Sequence, residues 1–169
     1  YRSPGFDVVY CIGVLQHIKV PALGFESVVQ NTKPGGRFHC WVYAKEGNAV
    51  VRTLVEPLRK LASKLPWQIT KYGVALPTVI PYYLYAKGLS ALRDVPGVSN
   101  LPLYKYSLWI SQREFRFFHH VAFAQLVTPQ TVYFSKADVE AFLKSSPLID
   151  PSSTYVIMRN GNSWKFGGR

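Results

Sequence analysis

The fold is decided by two short stretches near the start of the chain, Phe6–Ile18 (FDVVYCIGVLQHI) and Lys33–Tyr43 (KPGGRFHCWVY). The run from Val8 to Leu15 is nearly all apolar and rich in β-branched residues. Such a run predicts a strand buried on both faces, as in a parallel sheet that helices cover. A second apolar run, Arg37–Tyr43, predicts another strand.

The segment between these strands predicts a helix from Pro21 to Thr32, with one apolar face formed by Ala22, Phe25 and Val29. Pro34-Gly35-Gly36 ends the connection, because proline blocks helix continuation and glycine allows a positive φ. The order strand, helix, turn, strand predicts two parallel strands and an α/β fold. Ligands of such sheets bind beyond the carboxyl ends of the strands, here near Gly13.

The same residues carry a family resemblance. Phe6-Asp7-Val8-Val9, Gly13-Val14-Leu15 and His17, followed by Lys33-Pro34-Gly35-Gly36, resemble the class I S-adenosylmethionine-dependent methyltransferases of the small-molecule type. The likeness is to their fourth strand, the next helix, the turn and the fifth strand. Thr32 departs from the pattern, since members usually carry Leu there.

The resemblance implies a Rossmann-like sheet and the cofactor S-adenosyl-L-methionine. Cys11, Ile12 and Gly13 would lie along the cofactor, and Gln16 and His17 would border the mouth of its site. His17 is a weak candidate for a general base, and the alternative is a structural histidine that bonds to backbone. The family's glycine-rich nucleotide loop lies upstream of this strand. We therefore interpret the chain as the C-terminal half of the sheet of a longer protein, inactive alone.

Composition limits the classes of protein to which the chain could belong. The chain has 169 residues, of which 48% are hydrophobic and 17% charged, and this excludes a disordered tail. The net charge of +11 favours a nucleic acid, an anionic membrane surface or an acidic substrate, unless upstream acids compensate it. The two cysteines predict buried thiols of a reducing cytoplasm, and no apolar run approaches the roughly 18 residues of a spanning helix. We expect a cytoplasmic protein, with a peripheral position at a membrane surface as the alternative.

A helical insertion is predicted over residues 44–125, between the core segments 1–43 and 126–169. Residues 44–118 hold eleven Lys and Arg against four acids, and in the family such an insertion forms a lid over the substrate. The predicted helices are an amphipathic one over Asn48–Leu65, bent at Pro57, one or two short ones over Val74–Leu92, and one over Tyr106–His120.

Aromatic and basic residues of this insertion are the candidates for substrate binding: Tyr82, Tyr83, Tyr106, Arg113 and Arg116, with Tyr85 and Tyr104 beside them. Tyrosine rings can line the pocket of a cationic sulfonium, and the two arginines, three apart on one helix, could bind an anionic group. The alternatives are that the tyrosines form the core of the insertion and that the arginines lie on a solvated helix face.

The end of the chain returns to an α/β pattern. Ser135-Lys136-Ala137-Asp138 predicts a capping box at the start of the last helix. Asn160-Gly161, between β-rich runs, predicts a terminal antiparallel hairpin.

The remaining histidines suggest no metal site, because His39 lies within a predicted strand and His119 and His120 point apart on a helix. The leading interpretation is methyl transfer to a small molecule, such as a lipid-linked or sugar precursor. The alternatives are a nucleic-acid methyltransferase and a non-catalytic module of the same fold. The oligomeric state stays open.

Overall fold

The computed structural model describes residues 5–169, so the first four residues of the predicted core segment lie outside the described part of the chain. The chain divides into two compact units. Unit 1 contains the residues up to Glu46 together with Gln130–Arg169, and unit 2 is Gly47–Pro129.

The strands and helices follow one another as a mixed α/β chain. In order they are β1 (Phe6–Ile12), α1 (Pro21–Gln30), β2 (Thr32–Tyr43), α2 (Glu56–Ala62), α3 (Leu76–Ala91), α4 (Tyr104–Ser111), α5 (Phe115–Val127), α6 (Lys136–Ser145), β3 (Tyr155–Arg159) and β4 (Ser163–Gly168). Two π-helical segments, Val51–Val55 and Ile69–Ala75, precede α2 and α3.

Unit 1 is built on a four-stranded sheet in the order β1-β2-β4-β3. β1 and β2 are parallel and joined through α1, as predicted, and β4 is antiparallel to both β2 and β3. Asn160 and Gly161, with positive φ angles of 51° and 70°, lie in the three-residue turn between β3 and β4. The parallel pair and the terminal hairpin are therefore confirmed.

β1 corrects one expectation, because it is not buried on both faces. It lies at the edge of the sheet in the described part of the chain, and Phe6, Val8, Tyr10 and Ile12 on one face are exposed. Only the other face, which contains Cys11, packs into the core. An apolar run indicates that both faces of a strand favour burial. It does not show whether residues 5–169 include segments that bury both faces.

The covered face of the sheet packs against α1 and α6. Phe25 of α1 lies between Phe38, Phe142 and Phe166, with ring centroids 5.3–5.9 Å away. The buried face of α1 is Phe25, Val28 and Val29, whereas Ala22 is exposed. A core of buried rings and aliphatic chains thus fixes the strands whose ends carry the candidate site.

The predicted capping box of α6 is present. The Asp138 amide donates to Ser135 Oγ at 3.2 Å, and the Ser135 amide donates to the Asp138 carboxylate at 2.8 Å. Lys45 pairs with the same carboxylate at 2.8 Å. These partners lower the pKa of Asp138, the lysine contact first and the Ser135 amide second.

Unit 2 is helical, but it differs from prediction in one place. α3 continues through Pro81 as a single helix, which is one of the two alternatives predicted over Val74–Leu92. The helix predicted over Tyr106–His120 is instead two, α4 and α5. α4 ends where the Lys87 ammonium donates to the Ser111 carbonyl at 2.6 Å, a long-range contact that local spacing does not reveal.

No helix within residues 5–169 is both long and apolar enough to span a bilayer.

Candidate functional site

The candidate site lies where β1 and β2 reach their carboxyl ends. Gly13 follows β1 with φ +71°, a left-handed conformation that disfavours side chains, and its amide donates to the Trp41 carbonyl at 3.0 Å. A Cβ built on Gly13 would lie 3.6 Å from the Trp41 ring and 3.7 Å from Gln16 Nε2. Both distances are ordinary van der Waals contacts, so the positive φ, rather than a lack of space, favours glycine at this position.

Gln16 is the most unusual residue of this site. Its side chain is fully buried, with 0% exposure, and neither its Nε2 nor its Oε1 has a hydrogen-bond partner within residues 5–169. The indole Nε1 of Trp41 is buried without a partner in the same described range. Buried polar atoms nearly always have a hydrogen-bond partner in proteins. We therefore expect these two groups to bind a polar partner outside the described residues.

His17 is held beside Gln16 through one ring nitrogen. Nδ1 lies 3.1 Å from the Gln130 carbonyl and 3.4 Å from Thr131 Oγ1. Since a carbonyl only accepts, Nδ1 carries a proton and donates to Gln130. This contact orients the ring, and in a neutral imidazole Nε2 would be the nitrogen that can accept a proton.

Aromatic side chains extend the site along β2. Tyr43 contacts the ring edge of His17 at 6.0 Å, packs against Trp41 at 5.1 Å and stacks on Tyr133 at 5.9 Å. Sequence reasoning did not select Trp41, Tyr43 or Tyr133. Alternation along β2 could have found the first two, because residues two apart share one face of a strand.

Cys11 belongs to the core rather than to this edge. It is paired in register with Cys40 on β2, and the two thiols share a hydrogen bond. That bond lowers the pKa of Cys11 to about 7, while the same bond and burial raise the pKa of Cys40. Ile12 points to the uncovered face of the sheet. The structure therefore brings together Gly13, Gln16 and His17, and the buried Cys11 thiol lies against the backbone amide of Leu15, between Gly13 and Gln16.

A concave region lies away from the candidate site, on the uncovered face of the same sheet. This cavity of about 610 Å³ is lined by residues that include Val8, Tyr10, Arg37, His39, Tyr155 and Arg169. His39 Nδ1 lies 2.5 Å from the Tyr155 hydroxyl, and burial, followed by the nearby Lys165, lowers the pKa of His39. His39 is thus a partnered strand histidine.

The candidate tyrosines of unit 2 pack into that unit. Tyr82 and Tyr83 lie on α3 against Phe118, with centroids 6.0 and 5.0 Å away, and Tyr106 packs on Trp109 at 5.6 Å. Burial raises the pKa of Tyr82 to about 12. These rings therefore contribute to a hydrophobic core, whatever further role they have.

Arg113 and Arg116 do not share a helix, contrary to prediction, because the chain breaks between α4 and α5. The Arg113 guanidinium lies over Trp109 and Phe117, 5.7 and 5.8 Å from their centroids, whereas Arg116 is exposed on α5. The prediction that the two arginines bind an anionic group from one helix face is therefore wrong.

The histidines of α5 do not form a pair either. His119 Nε2 donates to the Lys71 carbonyl at 2.8 Å, and its neighbour His120 is exposed. Within the part of the chain that the structure describes, no group of three or more His, Cys, Asp or Glu could hold a metal ion.

Comparison with known proteins gives a partial relative. Over 61 residues the chain is 39% identical to the "Uncharacterized protein syc1184_c" of Synechococcus sp. (strain ATCC 27144 / PCC 6301 / SAUG 1402/1). The match covers 36% of this chain and 15% of that protein, so the chain matches a small part of a much longer relative. No model of a protein family matches the chain.

Proposed function

We propose that this chain forms part of an enzyme that transfers a methyl group from S-adenosyl-L-methionine to a small molecule, such as a lipid-linked or sugar-type acceptor. The proposal places the cofactor at the carboxyl ends of β1 and β2. The order of the motifs around Gly13 and Lys33-Pro34-Gly35-Gly36 supports it, together with the parallel pairing of the strands that carry them.

The single observation that carries the proposal is the buried amide of Gln16, which lies next to Gly13 and has no hydrogen-bond partner among residues 5–169. An unsatisfied buried polar group costs about 1–3 kcal/mol, and a fold retains such a cost most readily where a ligand removes it. An amide can both donate and accept, so it suits the mixed donors and acceptors of a nucleoside or an amino acid group. The chemistry of the residues present thus fits the proposed cofactor.

The uncovered side of the sheet supports a longer assembly. Parallel sheets are normally covered on both faces, yet four apolar side chains of β1 are exposed, among them Tyr10 at 69%. We propose that further strands and helices of the same polypeptide continue the sheet past β1 and cover this face. The site at Gly13 would then lie inside a sheet rather than at its edge.

Bound S-adenosyl-L-methionine would supply an electrophilic methyl group on a sulfonium. The chain's own residues would hold and orient the reactants, and good orientation alone is worth roughly 7–11 kcal/mol of a reaction barrier. The aromatic faces of Trp41 and Tyr43 suit a cationic neighbour. A neutral His17 would accept a proton at Nε2 from acceptors that must lose one.

One observation favours a nucleic-acid acceptor as the second candidate. Unit 2 holds ten Lys and Arg against three acids, which is the electrostatic signature of a polyanion partner. A non-catalytic module of the same fold is the third possibility, and it would bind no cofactor.

Transfer of a labelled methyl group separates these possibilities. The protein, extended upstream to its natural start, would be incubated with methyl-labelled cofactor and either a small-molecule extract or nucleic acid. We expect label in small molecules. Label confined to nucleic acid would favour the second candidate, and no label from a folded protein would overturn the enzyme proposal.

Two matched glycine variants locate the site. Gly13→Ala and Gly97→Ala both place a side chain at a positive φ, at a cost of about 1–2 kcal/mol, but the Cβ of Gly97 would meet only open space. We expect similar losses of stability, and a loss of methyl transfer only in Gly13→Ala. Equal transfer by the two variants would move the site away from Gly13.

A further inference from the structure

Unit 2 exposes large apolar side chains at the turn between α2 and the π-helical segment Ile69–Ala75. We name residues 60–72 the hairpin apex. Its exposed apolar side chains, with their exposed fractions, are Leu61 (69%), Leu65 (43%), Trp67 (52%), Ile69 (50%) and Tyr72 (56%). The apolar stripe predicted over Asn48–Leu65 is thus divided, because Val55 and Leu58 pack inward while Leu54, Leu61 and Leu65 face solvent.

The inner side of the apex is fixed by buried contacts. The Thr70 hydroxyl, fully buried, donates to the Ala62 carbonyl at 2.7 Å, and the Thr70 amide donates to the Pro66 carbonyl at 3.1 Å. Ala62 and Ala75 are buried together with Leu126. The two arms of the turn are therefore locked together, and this arrangement directs the apolar side chains of the apex outward.

The charge around these side chains has one sign. Six Lys and Arg and no acids lie between Glu56 and Asp94. Of these six, Arg59 pairs with Glu56 and Arg93 pairs with Asp94. Lys60 and Lys64 are exposed within the apex. The ammonium of Lys71 lies over the rings of Trp67 and Tyr72, 5.9 and 5.3 Å from their centroids. The apex therefore combines apolar, aromatic and cationic groups without a carboxylate.

We propose that the hairpin apex binds the surface of an anionic phospholipid bilayer. Leucine and isoleucine side chains would enter the boundary between headgroups and acyl chains, and Trp67 and Tyr72 would sit at headgroup level, where such rings concentrate. Lysine stems reach along an apolar surface and place their ammonium groups on lipid phosphates.

A nucleic acid is the weaker match to this surface. Phosphate contacts need the lysines and stacking needs the aromatic rings, but exposed Leu61, Leu65 and Ile69 would gain nothing from a polyanion in water. A bilayer uses all three kinds of side chain at once. The inference does not rest on methyl transfer, so the two proposals can fail separately.

Vesicle sedimentation of the full-length protein tests the inference. We expect binding to phosphatidylcholine vesicles that contain phosphatidylglycerol, weaker binding as salt rises, and little binding to phosphatidylcholine alone. The double variant Leu61→Ser, Leu65→Ser should lose affinity about tenfold or more, and Lys64→Gln about fivefold. The matched controls Leu148→Ser, which is also 69% exposed, and Lys144→Gln in unit 1 should bind like the wild type.

Fluorescence provides a test that needs no destabilising change. The emission of Trp67 should shift to the blue when anionic vesicles are added, and Trp67→Phe should remove that shift. Absence of binding or shift overturns the inference, as does equal binding by the apex variants and their controls. Retention of polynucleotide binding by the leucine variant, without vesicle binding by the wild type, would assign the apex to nucleic acid instead.

Discussion

Replacing Gln16 by methionine should stabilise the ligand-free protein and weaken its cofactor binding. Methionine has nearly the length and volume of glutamine, so it leaves no cavity. It removes two buried polar atoms that have no partner among the described residues. Since an unsatisfied group costs about 1–3 kcal/mol, the free energy of unfolding should rise by about that amount. The midpoint of thermal unfolding should rise by about 2–4 °C for each kcal/mol.

The same substitution should weaken the binding of S-adenosyl-L-methionine. If the Gln16 amide bonds to the cofactor, its loss should raise the Kd for S-adenosyl-L-methionine roughly tenfold to a hundredfold. Urea unfolding would measure stability, and calorimetric titration would measure affinity, both on the protein extended upstream. Gln30→Met is the control, because Gln30 is exposed on α1 and bonds only across a turn to Glu26. It should change neither quantity appreciably.

Destabilisation by Gln16→Met would refute this reasoning. That result would show that the amide already has a partner in the folded protein, for instance in an upstream segment, and that the ligand does not satisfy it. Stabilisation with unchanged affinity would place the cofactor elsewhere.

Further predictions concern the stability of each unit and the thiol pair of unit 1. Gly167→Ala should unfold unit 1, because its Cβ would collide with a carbonyl of β2, and a native circular dichroism spectrum would contradict this. Asp138→Asn should cost about 0.5–2 kcal/mol at neutral pH. A lysine ammonium and a backbone amide lower the pKa of Asp138 below its ordinary 3.8, so its stabilisation is present above pH 3.8 and lost as the pH falls through the lowered value. Wild type and variant should then converge in acid, and a constant difference would argue against the cap. Cys40→Ala should raise the pKa of Cys11 from about 7 toward 9.0, which the pH dependence of Cys11 alkylation would show, and an unmoved midpoint would exclude the thiol bond as the cause. Thr70→Val should loosen unit 2 by about 1–3 kcal/mol, visible as faster hydrogen exchange in α2, and unchanged exchange would mean that the hydroxyl does not lock the apex.

Local chemistry made much of unit 1 predictable. The apolar run before Gly13, the Ser135–Asp138 capping box and the Asn160-Gly161 turn each depend on residues close in sequence. Pro34-Gly35-Gly36, predicted as a turn before the second strand, lies instead inside β2, where the register with β1 is irregular. Gly36 shows why the residue type at one position can be informative. A Cβ there would lie 2.9–3.0 Å from three backbone carbonyl oxygens, so a larger residue would not fit without a shift of the backbone. Patterns of this kind predicted the parallel pair and the hairpin.

Features set by distant contacts were not predictable. The exposure of β1 depends on which segments cover it, and the end of α4 depends on Lys87, which reaches Ser111 from another helix. In the candidate site, the resemblance selected Gly13, Gln16 and His17. Two features of the site could be found only from the tertiary structure. They are the lack of a hydrogen-bond partner for the Gln16 amide within residues 5–169 and the stacking of Tyr43 on Tyr133.

Calorimetric titration of S-adenosyl-L-methionine into the protein extended upstream to its natural start, with residues 1–169 in parallel, is the most direct test of the central claim. The account predicts saturable binding of one cofactor per chain to the long form and no binding to the short one, which carries only part of the proposed site. If the long form is folded and binds no cofactor, the site at Gly13 and Gln16 has another purpose and the methyltransferase proposal fails.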